Sequence, residues 1–151
     1  MDTVMTVLHV VGAVFIVGPM AILPQTAMRA VRGGQAGQVK TLATSTMIFT
    51  WLSLIVFVLG FGVMGMSKYD ISFADTWIWL SVVLYVIAFL ISMFLVVPSM
   101  RKAATALGSV DASAGSGTDS NGKAGYPAIA AGSGITALLL LVVVILMVWK
   151  P

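Results

Sequence analysis

Thr41 to Ser67 reads TLATSTMIFTWLSLIVFVLGFGVMGMS, a run without a single Asp, Glu, Lys or Arg. A hydrocarbon core about 30 Å thick is crossed by roughly 20 mostly apolar residues in helical form. Inside lipid a helix also satisfies its own backbone N–H and C=O groups, which few other structures can do. Working outward, three further runs share the property: Thr3 to Met28, Thr76 to Met100 and Ala124 to Trp149. The expected spans cover Val4 to Ala27, Leu42 to Met66, Trp77 to Val97 and Ile129 to Trp149. The expected fold class is therefore all-α, a polytopic membrane protein with four transmembrane helices in a single domain, 1–151.

Composition agrees. Of 151 residues, 60% are hydrophobic and only 9% charged, against about 25% charged in soluble domains. A water-soluble fold of this size could not hide that much apolar surface. The net charge of +3 does not point to nucleic acid, because the basic residues stand beside spans, where they act on topology. The absence of Cys excludes disulfides, thiolate metal sites and cysteine nucleophiles. Met1-Asp2-Thr3 lacks a basic signal-peptide opening, so the first run is expected to be retained as a span. Ala, Gly and Ser dominate the polar segments and every acid is Asp, a bias suggesting a GC-rich bacterial genome.

Loop 1 carries Arg29, Arg32 and Lys40, and loop 3 carries Arg101, Lys102 and Lys123. Loop 2 balances Lys68 against Asp70 and Asp75, and the tails add only Lys150 as a base. The positive-inside bias places loops 1 and 3 in the cytoplasm and both termini outside, in a bacterial plasma membrane. Tyr69, Trp77, Trp79 and Trp149 then fall near the outer interface, where amphipathic rings prefer to sit. Trp51 does not join that belt. It lies near mid-membrane, at 1.5 Å per residue along the second span, and is expected to pack between helices or against a partner. Residues 103–125 are mostly Ala, Gly, Ser and Asp and read as a flexible cytoplasmic loop.

His9 is the only His, and it lies inside a span. An ionisable group there is a functional hypothesis by default. A neutral imidazole could ligate haem iron, relay protons or approach a quinone; it could equally be bonded to a neighbouring helix. A single His cannot make a bis-His haem site, so Met or another subunit would have to supply the second ligand. Pro19 and Pro24, after Gly12 and Gly18, should kink the end of the first span, and Pro98 should close the third. Gly60, Gly62 and Gly65 in span 2, and Ala128, Gly132 and Gly134 in span 4, form smooth faces suited to close helix contact. These faces, with Trp51, are the candidates for partner docking. No span holds a carboxylate, Lys or Arg, which removes the usual machinery of ion-coupled transport. Neither a Ser-His-Asp set nor a metal-spaced cluster is present, so neither a catalytic set nor a protein-held metal is expected.

Two local patterns carry a resemblance. They are Leu8-His9-Val10-Val11-Gly12 followed by Gly18 and Leu23-Pro24, and the ending Met147-Val148-Trp149-Lys150-Pro151. Together they resemble a family of four-span bacterial predicted integral membrane proteins of unknown function. The first-span pattern is also similar to the haem-binding bacterial protoporphyrinogen oxidase. That family has a basic residue and a further His after its Leu-Pro, where this chain has Gln25 and no second His. His9 is the only functional position that carries over, and haem is the cofactor it implies. By type rather than motif, the chain is similar to the small apolar accessory subunits of actinobacterial cytochrome oxidase supercomplexes. The expected function is a non-catalytic accessory subunit of a respiratory cytochrome c oxidase assembly. A haem-associated oxidoreductase using His9 is the first alternative, and a small transporter or channel broken near Pro19 is the second.

Overall fold

The computed structural model describes residues 2–66, 75–112 and 126–149. Lys68, Tyr69, Asp70, Lys123, Lys150 and the segment 113–125 lie outside them. The described residues form six α-helices: α1 (Asp2–Gly12), α2 (Gly18–Arg32), α3 (Ala36–Met66), α4 (Thr76–Ile91), α5 (Val97–Ala112) and α6 (Tyr126–Trp149). A π-helical turn, Ala13–Val17, joins α1 to α2, and another, Ser92–Val96, joins α4 to α5. The result is four helices long and apolar enough to cross a membrane: Thr3–Arg32, Ala36–Met66, Thr76–Ser109 and Tyr126–Trp149. Asp2 and Trp149 lie at one end of the bundle, here the terminal end; the other is the loop-1 end.

The two π turns have one cause. Phe15-Ile16-Val17-Gly18-Pro19 in the first span recurs as Phe94-Leu95-Val96-Val97-Pro98 in the third. Each proline lacks the N–H its helix would use and crowds the carbonyl four residues earlier. The strain is absorbed by a widened turn, with Gly18 N–H donating to the Ala13 carbonyl and Val97 N–H to that of Ser92. The expected kink at Pro19 is thus a π turn, whereas Pro24 sits buried inside α2 without interrupting it. Pro98, expected to close the third span, instead follows a second π turn, and α5 continues past it.

That extra residue resets the packing of the third span. Ile78, Ser81, Tyr85, Ala88 and Ser92 are buried at alternating steps of three and four residues, the spacing of a left-handed helix seam. The series would continue to position 95, yet Leu95 is exposed and Val96, Met100 and Ala103 are buried instead. Buried positions in α3 (Val39, Ala43, Thr46, Thr50, Ser53) and α6 (Ile129, Ser133, Thr136, Leu140, Val143) follow the same steps. Ala, Ser and Thr are frequent on these inner faces, while Val, Ile, Leu and Phe turn outward. Lipid rewards that inversion, since only small inner residues let helices approach closely.

The spans pack in a ring. At the loop-1 end α2 lies against α3 and α6, and α3 against α5; at the terminal end α1 packs chiefly on α3 and α4 on α6. A short turn joins the first two spans. Gly34 adopts a left-handed conformation (φ 68°), and Gln35 N–H reaches back to the Ala30 carbonyl (3.0 Å), closing α2 with a glycine C-cap. The third span runs further than expected. Residues 103–112, read from composition as the start of a flexible loop, continue α5. Ala103 and Ala104 there are buried in a cluster with Ala27, Val39 and Ala43, and such contacts offset the entropy that composition alone leaves unopposed.

Candidate functional site

His9 packs against the second span near the terminal end. Its Nδ1 lies 2.9 Å from the Val56 carbonyl oxygen. A carbonyl can only accept, so Nδ1 is the donor in this contact; in a neutral imidazole so bonded, Nε2 is the nitrogen with the lone pair. The ring occupies the space a side chain at Gly60 would need: a Cβ there would sit 3.0 Å from His9 Cε1. One turn along α1, Gly12 serves Val56 in the same way, with its absent Cβ 3.0 Å from Val56 Cγ2. One turn the other way, Met5 Sδ lies 4.0 Å from where a Cβ on Gly62 would stand. Glycines on both helices thus fit α1 to α3 around one half-buried imidazole.

The other smooth positions divide. A Cβ on Gly132 would meet Val96 Cγ2 at 2.9 Å and Leu95 Cδ2 at 3.2 Å, so Gly132 seats the fourth span on the π turn of the third. Gly65 and Gly134 have nothing within 4 Å of that position. Ala128 is half-buried. Gly60, Gly62 and Gly132 therefore face this chain's own residues, and Gly65 and Gly134 face outward.

Trp51 is also outward, 52% exposed at the middle of α3. Its ring meets only Phe89 edge-on, with centroids 6.4 Å apart, and its indole N–H makes no hydrogen bond among the described residues. Trp79 and Trp149 are exposed near the terminal end. At the loop-1 end, Arg32 lies over the Tyr126 ring, 5.1 Å from its centroid, and donates to its hydroxyl.

A polar network at the bundle centre had not been singled out from sequence. Thr50 Oγ1 donates to the Thr46 carbonyl (2.7 Å) and lies 3.2 Å from Ser92 Oγ. Ser53 Oγ donates to the Thr50 carbonyl (2.7 Å) and lies 2.7 Å from the Tyr85 hydroxyl. Each of these α3 hydroxyls has spent its one proton, so Ser92 and Tyr85 are the donors across the interface. Phe57 stacks on Tyr85 with centroids 4.7 Å apart. The available signal was the spacing of Thr46, Thr50 and Ser53 at steps of four and three along α3. Nearer the terminal end, a cavity of about 230 Å³ opens between α3 and α4, lined by Phe61, Ile78, Trp79 and Val82. Among the described residues, no three His, Cys, Asp or Glu side chains gather to hold a metal ion.

Residues 3–151 match the model of a family described as predicted integral membrane protein, DUF2269. The chain belongs to that family. Neither a curated relative nor a solved structure matches it. Family membership and the four apolar helices agree on a multi-pass integral membrane protein embedded in a lipid bilayer.

Proposed function

We propose that this family member is a non-catalytic accessory subunit of a larger complex in a bacterial plasma membrane, a respiratory cytochrome c oxidase assembly. In this reading loops 1 and 3 are cytoplasmic and both termini lie outside. Trp51 carries the proposal. An indole that faces outward at membrane depth, with no acceptor for its N–H among the described residues, is poorly matched to hydrocarbon. A carbonyl or hydroxyl on a neighbouring subunit would complete it, as tryptophan does at protein interfaces. The open positions at Gly65 and Gly134 add places where a partner helix could come close. The first span adds a third support, since only 6% of its most apolar window is buried within the chain, against 33% in the third and fourth.

Affinity isolation from native membranes in mild detergent tests the reading. The chain should bring oxidase subunits with it, and Trp51→Ala should release them while the isolated chain stays folded. A chain that migrates alone would refute it.

A second reading, a haem-associated oxidoreductase, is favoured by one observation. The Val56 bond orients His9 and leaves Nε2 free to ligate, as backbone carbonyls do for metal-bound imidazoles. His9 would supply one ligand to the iron through Nε2, and Met or another subunit would have to supply the second. Haem would supply redox chemistry, and His9 would fix its position. A Soret band lost in His9→Ala supports this reading, and a colourless full-length preparation ends it.

A further inference from the structure

Four buried residues, one per span, lie near one level at the centre of the bundle by helix register: Met20, Thr50, Ser92 and Thr136. Thr50 and Ser92 touch through their hydroxyls. Gly132 faces Leu95 and Val96, so Thr136, one turn nearer the terminal end, stands level with Ser92 on the antiparallel third span. On the other side α6 runs antiparallel to α2. Ala27 clusters with Ile129, and Met20 shares a cluster with Leu140, which brackets Thr136 opposite Met20 to Leu23. All four residues are buried, with exposures of 0% for Met20 and Thr50, 1% for Ser92 and 2% for Thr136.

Their hydrogen-bond accounts do not balance within the protein. Thr136 Oγ1 is buried and makes no hydrogen bond. Ser92 has committed its proton to Thr50 and keeps free lone pairs. Pro24 has no N–H, so the Met20 carbonyl loses its ordinary helical donor. By helix register, one unpaired donor and two acceptors with spare capacity therefore lie near one buried level, where each unmade bond is costly.

We propose that this layer is a hydration site holding one internal water molecule. The water accepts from the Thr136 hydroxyl and donates to Ser92 Oγ and to the Met20 carbonyl. Three bonds are the usual complement of a buried water. A bare metal cation is a poorer occupant, since three neutral oxygens fall short of the six to eight ligands a hard ion such as calcium takes. Bound water would tie the first and fourth spans to the Thr50–Ser92 contact and join all four helices where the two halves of the bundle meet.

Radiolytic footprinting of the full-length chain in detergent, in ¹⁸O-labelled water, tests this directly. Hydroxyl radicals form at bound water and oxidise adjacent methionine. Met20 should take up the label despite its burial, while the equally buried Met100, in the all-apolar loop-1 cluster, should stay silent. Thr136→Val should abolish labelling at Met20 and lower the unfolding temperature, and Thr136→Ser should retain both. Should Thr136→Val not fold, Pro24→Ala serves instead: it returns a backbone donor to the Met20 carbonyl and should reduce labelling there. Met20 as silent as Met100, labelling unchanged in Thr136→Val, or a raised unfolding temperature in that variant would each overturn the proposal.

Discussion

The two ends of this bundle are held together by different means. At the loop-1 end, Ala27, Ala30, Ala43, Ala103 and Ala104 let backbones nearly touch, and the larger Val39, Val96, Met100 and Ile129 fill what remains. Toward the terminal end the core is Tyr85, Met20, Leu140 and Val143 with Phe49, Phe57 and Phe89 packed around it, and rings bridge a wider gap. No residue of the Ala13–Val17 turn is buried, and His9 of α1 bonds to the second span through the Val56 carbonyl. Among helices in lipid, association rests on close packing and interhelical hydrogen bonds rather than on expulsion of water. The alanine-rich end should therefore be the rigid anchor and the ring-filled end the more easily displaced.

Overpacking separates the ends most sharply. Ala103→Leu, at a site 1% exposed, should cost about 3 kcal/mol of stability or abolish folding. Val82→Leu at the wall of the α3–α4 cavity should cost less than about 1 kcal/mol and could stabilise by filling space. Unfolding midpoints in mixed micelles would compare the pair. Gly132→Ala comes next, at about 2 kcal/mol, because its Cβ would meet the branched Val96 at 2.9 Å.

Polar contacts between the ends should weigh less. Removing the Tyr85–Ser53 bond with Tyr85→Phe should cost about 0.6 kcal/mol and no more than about 1.7, the average and the maximum for interhelical hydrogen bonds in a membrane bundle. Gly60→Ala should cost about 1 kcal/mol, through displacement of His9. That cost should largely disappear in a His9→Ala background, and a double-mutant cycle would read the coupling. The smallest effect belongs to Gly65→Ala and Gly134→Ala. Nothing stands near their Cβ positions, so stability should change by less than about 0.5 kcal/mol, although partner recovery should fall.

How much of this could be read from sequence follows from the physics of the solvent. The four charge-free runs announced four helices because hydrocarbon accepts little else, and Pro19 marked where the first deviates, whereas Pro98, which read as the end of the third, is passed by the helix. The helix over 103–112 was not legible: composition speaks for disorder there, and only burial of Ala103 and Ala104 against other spans reverses it. The division of the glycines was hidden for a related reason. Gly60 and Gly134 look alike along the chain, and only the opposing helix decides which one receives an imidazole. His9 was visible as an anomaly, but its tautomer depends on a carbonyl 47 positions away.

Spin-label distance measurements test the anchored and displaceable ends most directly. The chain has no cysteine of its own, so pairs can be placed freely, one joining Lys40→Cys with Lys102→Cys and the other joining Val11→Cys with Val83→Cys. The account predicts a narrow distance distribution for the first pair and a broad one for the second in lipid nanodiscs. Equal widths, or a broader distribution at the loop-1 end, would contradict it.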